Sequence, residues 1–358
     1  MSIQDSPMLT DGGLRLADFT PRSQARVTAT RVPRAAFRAV DVHNHLGRWL
    51  APHGTWMVPD VGRLLADMDA CNVAAIVNLD GRIGVDLEEN LDRYDRRHPG
   101  RFATFCQLDW AALAEPGGIA RLRRDLESAA AAGARGLKVW KDLGLTATDS
   151  SGRLVLPDDP RLDEVWATAG ALGLPVLIHT ADPVAFFQPL DACNERIEEL
   201  ADQPEWWFGD RDRFPTFERL LEALESVVAR FPATTFIGAH VGCYAEDPRW
   251  VEGMLTRYPN LNVDLGGRMA ELGRQPRAAR ALLQRHSDRV LFGTDAFPAT
   301  AADYRHWFRF LESEDESFAY APEDPVPSQG RWDVHALGLP RDVLERLYAG
   351  NATRLLGL

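Results

Sequence analysis

The stretch Phe37-Arg38-Ala39-Val40-Asp41-Val42-His43-Asn44-His45 is a largely apolar run that closes on two histidines two positions apart. A β-strand sends alternate side chains to one face, so a strand here points His43 and His45 the same way. Neutral imidazole is the commonest protein metal ligand, and two of them on one face can share an ion. Two unrelated surface histidines are the plain alternative. The other strand ends decide between these readings.

From Phe37 onward one pattern repeats: an apolar strand-like run, a polar or glycine-bearing end, then a helical stretch. The strands read as Phe37 to His43, Val73 to Leu79, Phe102 to Leu108, Gly136 to Trp140, Pro175 to His179, Thr235 to His240, Leu261 to Leu265 and Val290 to Thr294. Helices fit between them, as over Asp60 to Cys71, where Val61, Leu64, Leu65 and Met68 keep helical spacing. Gly118 to Ala132 is Ala- and Arg-rich and stops at Gly133. Strands joined by helical crossovers pair in parallel, and runs such as Ala74-Ala75-Ile76-Val77 suit strands buried on both faces. An open doubly wound sheet is the structural alternative. Eight units with polar carboxyl ends favour an α/β fold of the closed kind, a single (β/α)8 TIM barrel.

Residues 1–36 are polar, dotted with Arg and Pro, and too short for a domain; they are expected to form an N-terminal arm on the barrel or on a neighbouring subunit. Residues 37–358 would be the barrel, with a long insertion after strand five over 180–233. A connection of that length is either a lid or partner-contact surface or an ordinary packed excursion. The run Glu312-Ser313-Glu314-Asp315-Glu316 reads most simply as a solvated loop or helix end.

The formal net charge is -12 with 45% hydrophobic residues, which argues against a nucleic-acid or anionic-membrane partner and leaves a small molecule. Four scattered cysteines without a C-x-x-C spacing read as mostly buried free thiols. With no apolar leader-like run in residues 1–35 and no stretch long enough to span a bilayer, a cytoplasmic location is expected.

Barrel strands deliver their carboxyl-end residues to one mouth. Those residues are His43, His45, Lys138, His179, His240 and Asp295. One such histidine is usually a packed core residue; four of them with an aspartate suit a divalent transition metal. Zn²⁺ is the first expectation, with Mn²⁺, Fe²⁺ or Co²⁺ as alternatives. Arg48, Arg82, Lys141 and Arg268 follow other strand ends, and such cations bind carboxylates or pair with neighbouring acids. Asp80, Asp264 and Glu271 are weaker acid–base candidates, and Trp49, Trp56 and Trp140 could line a pocket.

The His-x-His of strand one, the two later histidines, Gly293-Thr294-Asp295 and the ending Asn351-Ala352-Thr353-Arg354-Leu355-Leu356-Gly357-Leu358 resemble the amidohydrolase superfamily. The order looks most like amidohydrolase family 2, the branch containing aminocarboxymuconate-semialdehyde decarboxylase. The resemblance implies His43, His45, His179 and Asp295 as ligands of one metal, with His240 and Asp295 as acid–base residues. It leaves two places for Lys138: a carboxylated bridge between two ions, or a partner of a carboxylate or of the substrate's anionic group. The reaction it implies is hydrolysis through a metal-activated water; the strand-end cations Arg48, Arg82, Lys138, Lys141 and Arg268 point to a small substrate bearing a carboxylate. Non-oxidative decarboxylation is the alternative, and a metal-free scaffold is a third, lesser reading. A homodimer is expected by analogy only.

Overall fold

The protein is described by a computed structural model covering residues 23–181 and 183–358. Eight short strands follow one another: β1 (Ala39–Asn44), β2 (Val73–Asn78), β3 (Phe102–Thr104), β4 (Leu137–Val139), β5 (Val176–Ile178), β6 (Phe236–Gly238), β7 (Leu261–Asp264) and β8 (Val290–Leu291). Every neighbouring pair within β1-β2-β3 and within β4-β5-β6-β7-β8 is parallel. Backbone bonds join the two sheets at both edges. Cys106 N–H donates to Gly136 O at 2.9 Å and Lys138 N–H to Cys106 O at 2.8 Å. On the other side Val42 N–H donates to Phe292 O at 2.9 Å and Asp295 N–H to His43 O at 2.8 Å. The ring of strands is therefore closed, as the eight-unit pattern predicts.

Strand parity explains the core. Leu137, Val139, Val176, Ile178, Phe236 and Val290 pack outward against the helices in the large apolar cluster. Their alternates Leu177, Ile237 and Leu291 join Val40, Val42, Ala75 and Val77 in a separate cluster, plugged by Ala352 and Leu356 of the last helix. Lys138 lies in register with Leu177, so its side chain enters the inner layer. Helices Val61–Cys71 and Gly118–Ala132 fall where spacing predicts them, and Phe217–Arg230 and Pro248–Arg257 are two of the other crossovers.

Strands three and eight are shorter than predicted. Beyond Thr104 and Leu291 the chain keeps only isolated ladder bonds, because its next residues turn toward the mouth. Helix Ala301–Glu312 was not anticipated, although Thr300 and Asp303 form a reciprocal capping box and Tyr304, Trp307, Phe308 and Leu311 bury one face.

Two long connections flank the mouth. The one after β5 carries helices Ile197–Asp202 and Phe217–Arg230, and buries Phe186, Phe187 and Phe208 in its own aromatic cluster. The other, residues 313–340, pairs β9 (Phe318–Ala319) with β10 (Asp333–Val334). The run Glu312–Glu316 is a helix end followed by a loop, as expected, with Glu312 closing its helix and Glu314 and Glu316 exposed, but Asp315 corrects the solvated reading. Asp315 is 2% exposed and accepts bonds from Thr30 N–H (2.7 Å), Thr30 Oγ1 (2.6 Å) and Arg309 Nε (2.7 Å). Residues 28–36 of the arm thereby lie along helix Ala301–Glu312, with Arg305 Nε donating to Pro33 O at 3.2 Å. Residues 1–22, the remainder of the expected arm, lie outside the described residues. Cys71, Cys106 and Cys243 are buried outside any disulfide, and Cys193 is exposed. Among the described residues no helix is long and apolar enough to cross a membrane.

Candidate metal centre

His43 and His45 are both fully buried at the end of β1, and a register irregularity between Asp41 and Asn44 lies where the strand leaves its ladder. Asp41 braces that end. Its carboxylate accepts from Thr294 N–H (3.0 Å), Thr294 Oγ1 (2.7 Å), Asn44 Nδ2 (2.8 Å) and Tyr304 OH (3.1 Å). Burial nonetheless pushes its pKa up to about 6 against those bonds.

Each imidazole is gripped from behind by a carboxylate on a neighbouring strand. Asp264, ending β7, accepts from His43 Nδ1 at 2.9 Å, and Asp80, just past β2, accepts from His45 Nδ1 at 2.6 Å. With the proton assigned to Nδ1 in both rings, each Nε2 carries the lone pair. Both lone pairs face Asp295. His43 Nε2 is 3.4 Å and His45 Nε2 is 3.5 Å from Asp295 Oδ1. His45 Nε2 is buried, and that separation is too long for a good hydrogen bond.

These distances match the edge of a coordination polyhedron. A tetrahedral ion with bonds of about 2.1 Å holds its ligand atoms about 3.4 Å apart. His43, His45 and Asp295 each offer a ligand atom, all within 4.8 Å of one another. A second grouping, His43 with His240 and Asp264, satisfies the same distance test. There Asp264 is already engaged: Oδ2 with His43 Nδ1, and Oδ1 with the N–H groups of His240 (3.1 Å) and Gly266 (2.8 Å). Asp264 and Asp80 are therefore orienting groups, a role that conventionally fixes the tautomer and raises ligand basicity.

The electrostatics favour a cation at this focus. Burial opposes the charge on His45, but Asp80 and Asp295 overcome it and raise its pKa to about 9. Burial likewise opposes ionisation of Asp295, and the surrounding His43, His45 and His240 still hold its carboxyl well below the usual carboxylate range. The donor set of two imidazole nitrogens and a carboxylate oxygen fits a divalent transition metal.

His240 and Asp295 share a backbone feature. Both occupy the left-handed region, φ 55° and φ 58°, which costs a non-glycine residue stability and concentrates at functional sites. The turn at His240 brings its Nδ1 to donate to Gly266 O at 2.7 Å, and places Nδ1 3.8 Å from Asp295 Oδ2. Gly293 before Thr294 is required by space, since a Cβ there would lie 2.9 Å from that of His43. His179, at the end of β5, is not in the tight group. Its ring packs edge-on to His240 (4.4 Å between centroids) and against Trp140 (5.7 Å).

Lys138 is fully buried, with Nζ 3.4 Å from His43 Nε2. Burial lowers its pKa despite Asp295 and Asp264. Trp140 stands beside it, touching His45, His179 and Trp49, and Phe297 stacks flat on the His45 ring at 4.9 Å. The other anticipated cations spread around the mouth. Arg48 pairs with Glu89 at 2.6 Å and covers Trp56. Arg82 donates to Gln107 Oε1 at 3.2 Å, and Lys141 Nζ sits 4.3 Å from the centre of the Trp206 ring. Arg268 is buried and donates to Gly267 O at 2.8 Å. Arg196, which the sequence did not single out, is 1% exposed and paired with Glu271 and Glu199. Its only sequence signal was an arginine among many carboxylates.

A parallel barrel carrying a strand-end His-x-His, further histidines and a final aspartate defines a metal-site barrel of the amidohydrolase type. A family model described as Amidohydrolase (Amidohydro_2) matches residues 40–358, and the chain belongs to that family. The comparison with curated proteins finds no match. Solved structures with the same fold include 2,6-dihydroxybenzoate decarboxylase from Rhizobium (17% identity, TM-score 0.56, covering 90% of this chain and 99% of that one). Another is an amidohydrolase from Burkholderia multivorans with bound Zn (15% identity, TM-score 0.53, 89% and 99%). A third is a dihydroxybenzoic acid decarboxylase from Polaromonas sp. JS666 with bound manganese and 2-nitroresorcinol (17% identity, TM-score 0.54, 90% and 97%).

Proposed function

We propose that this protein is a metal-dependent hydrolase acting on a small carboxylate-bearing substrate, with one ion, Zn²⁺ first, held by His43, His45 and Asp295. His179 is proposed as a further ligand and Arg268 and Lys138 as the principal anion-holding groups, with Arg48, Arg82 and Lys141 farther out. The observation that carries the reading is the convergence of two Nε2 lone pairs and Asp295 Oδ1 at 3.4 and 3.5 Å. A divalent ion bound there supplies Lewis acidity toward a substrate oxygen and lowers the pKa of water toward neutrality.

The chain's own residues do the rest. Asp264 and Asp80 hold the two imidazoles in one tautomer, so neither Nδ1 competes for the proton being moved. Asp295 Oδ2 is one acid–base group, and His240 is the other; its Nδ1 is committed to Gly266 O, which leaves Nε2 as its acid–base nitrogen. Trp49, Trp140 and Phe297 exclude water on the His45 side, which strengthens the electrostatics inside. Lys138 Nζ touches the His43 nitrogen that would bind the first ion, which favours one ion over two. Non-oxidative decarboxylation is the second reading, favoured by the buried Lys138 against the same focus and the buried Arg268 after β7, which would suit a substrate carboxylate close to the metal.

Elemental analysis of the purified and Zn²⁺- or Mn²⁺-reconstituted protein is the test. About one ion per chain, lost in Asp295→Ala, is expected; no ion in the wild-type protein would overturn the reading. Near two per chain would restore the bridging role of Lys138. Incorporation of labelled water into product, against release of CO₂, then separates hydrolysis from decarboxylation.

A further inference from the structure

We propose that the cleft over β7 and β8 is the substrate-binding cleft, that residues 30–33 of the arm form its outer wall, and that it takes carboxylates bearing an uncharged, extended apolar tail. This rests on the metal-site reading above and goes beyond it by naming where the rest of the substrate lies.

The cleft measures about 880 Å³ and begins at Asp295, continuing past Thr294, Ala296 and Phe297. Volumes of about 300–1,000 Å³ are those that enclose a whole small molecule. A compact acid bound at the metal focus would leave most of it empty. It is lined by Thr30 to Pro33 of the arm, by helix Ala301–Glu312, and by residues 320–324 with Ser328 and Gln329. Phe297 links focus and cleft: one ring face lies on His45 while 48% of the residue stays exposed. Val32, Met269, Trp307 and Tyr320 continue the apolar lining outward.

Two observations set the ligand's chemistry. Past Asp295 the lining cations Arg31, Arg305 and Arg309 are matched one for one by Asp303, Glu323 and Asp324, so the walls offer no net charge to a second anionic group. Arg309 and Asp303 are in addition engaged within the fold, with Asp315 and with the Thr300 cap. The arm is also fixed as a wall, because Thr30 is clasped by the buried Asp315 through two bonds. On the opposite flank the clefts beside Arg48 and Arg82 measure about 340 and 400 Å³, and neither reaches Asp295.

The test uses metal-reconstituted full-length protein titrated calorimetrically with benzoate and biphenyl-4-carboxylate. Burying the second ring is expected to make the biphenyl acid bind about tenfold tighter. Ala302→Trp and Val32→Trp, which fill the cleft from an exposed helix position and from the arm, should reduce that advantage below about twofold with metal content unchanged. Ala111→Trp, filling the opposite cleft, should leave the ratio intact. Equal binding of the two acids by the wild type, a ratio untouched by Ala302→Trp and Val32→Trp, or collapse only in Ala111→Trp would each overturn the inference. Metal content is read in every sample, so a protein that binds no metal fails the site reading, whereas one that binds metal and benzoate with an unchanged ratio fails only the cleft.

Discussion

The two flanks of the barrel mouth use the same ionic chemistry at different depths. After β1 and β2, Arg48 and Glu89 pair where their side chains are 39% and 43% exposed. Over β7, Arg196 and Glu271 pair at 1% and 0%. Water screens the first pair, so its partners are individually dispensable. The second has exchanged water for protein on all sides, and each charge depends on the other. The cleft flank thus stands on a rigid base, while the cationic flank is a hydrated rim.

The sharpest way to break that comparison is to remove one buried partner. Arg196→Met leaves Glu271 uncompensated and should cost about 3–5 kcal/mol in a urea titration, with Arg196→Met/Glu271→Met recovering much of it. A loss below about 1 kcal/mol would mean water reaches the pair. Between the flanks, Asp264→Asn and Asp80→Asn should each weaken metal affinity about 10–100-fold, as loss of an orienting carboxylate does, with the fold preserved. Unchanged affinity by competition with a chelating dye would remove their orienting role.

The arm gives a smaller, pH-dependent effect. Burial works against ionisation of Asp315, but the bonds from Thr30 and the Arg309 guanidinium hold its pKa below the ordinary aspartate value of 3.8. A depressed carboxylate contributes stability that is complete above its unfolded pKa and lost as pH falls through the folded one. The stability gap between wild type and Asp315→Asn should therefore be constant at neutral pH and shrink below 3.8. A gap that persists undiminished through that range would show that the charge does not clasp the arm. Smallest of all, Arg48→Ala should change stability by about 0–1 kcal/mol; a larger loss by denaturant titration would erase the distinction between the flanks.

The contrast also shows where sequence reading stops. Arg48 follows a strand end with no acid within six residues, whereas Arg196 stands among Glu195, Glu198 and Glu199, so local sequence would take the wrong one to be hydrated. Only the docking of Glu195 and Arg196 on Arg274 and Glu271, which follow β7, buries one arginine, while the other stays wet. Within the acidic run at 312–316 Asp315 departs from the solvated reading for the same reason: it is buried against a partner, Thr30, that lies 285 residues away.

What the sequence by itself determined is the alternation of strand and helix and the chemistry at the strand ends. Both depend on short-range rules, the period of side chains along a strand and the apolar character of residues flanked on both faces. From these came the barrel and the positions of His43, His45, His240 and Asp295 at one mouth. Tertiary structure alone decided which nitrogen of each histidine faces the focus, because Asp80 and Asp264 arrive on other strands. It also set His179 one ring back from the convergent trio and turned the arm into a cleft wall. These are pairings between groups far apart in the chain, and a linear pattern carries no record of which of its many acids and bases will be pressed together once water is excluded.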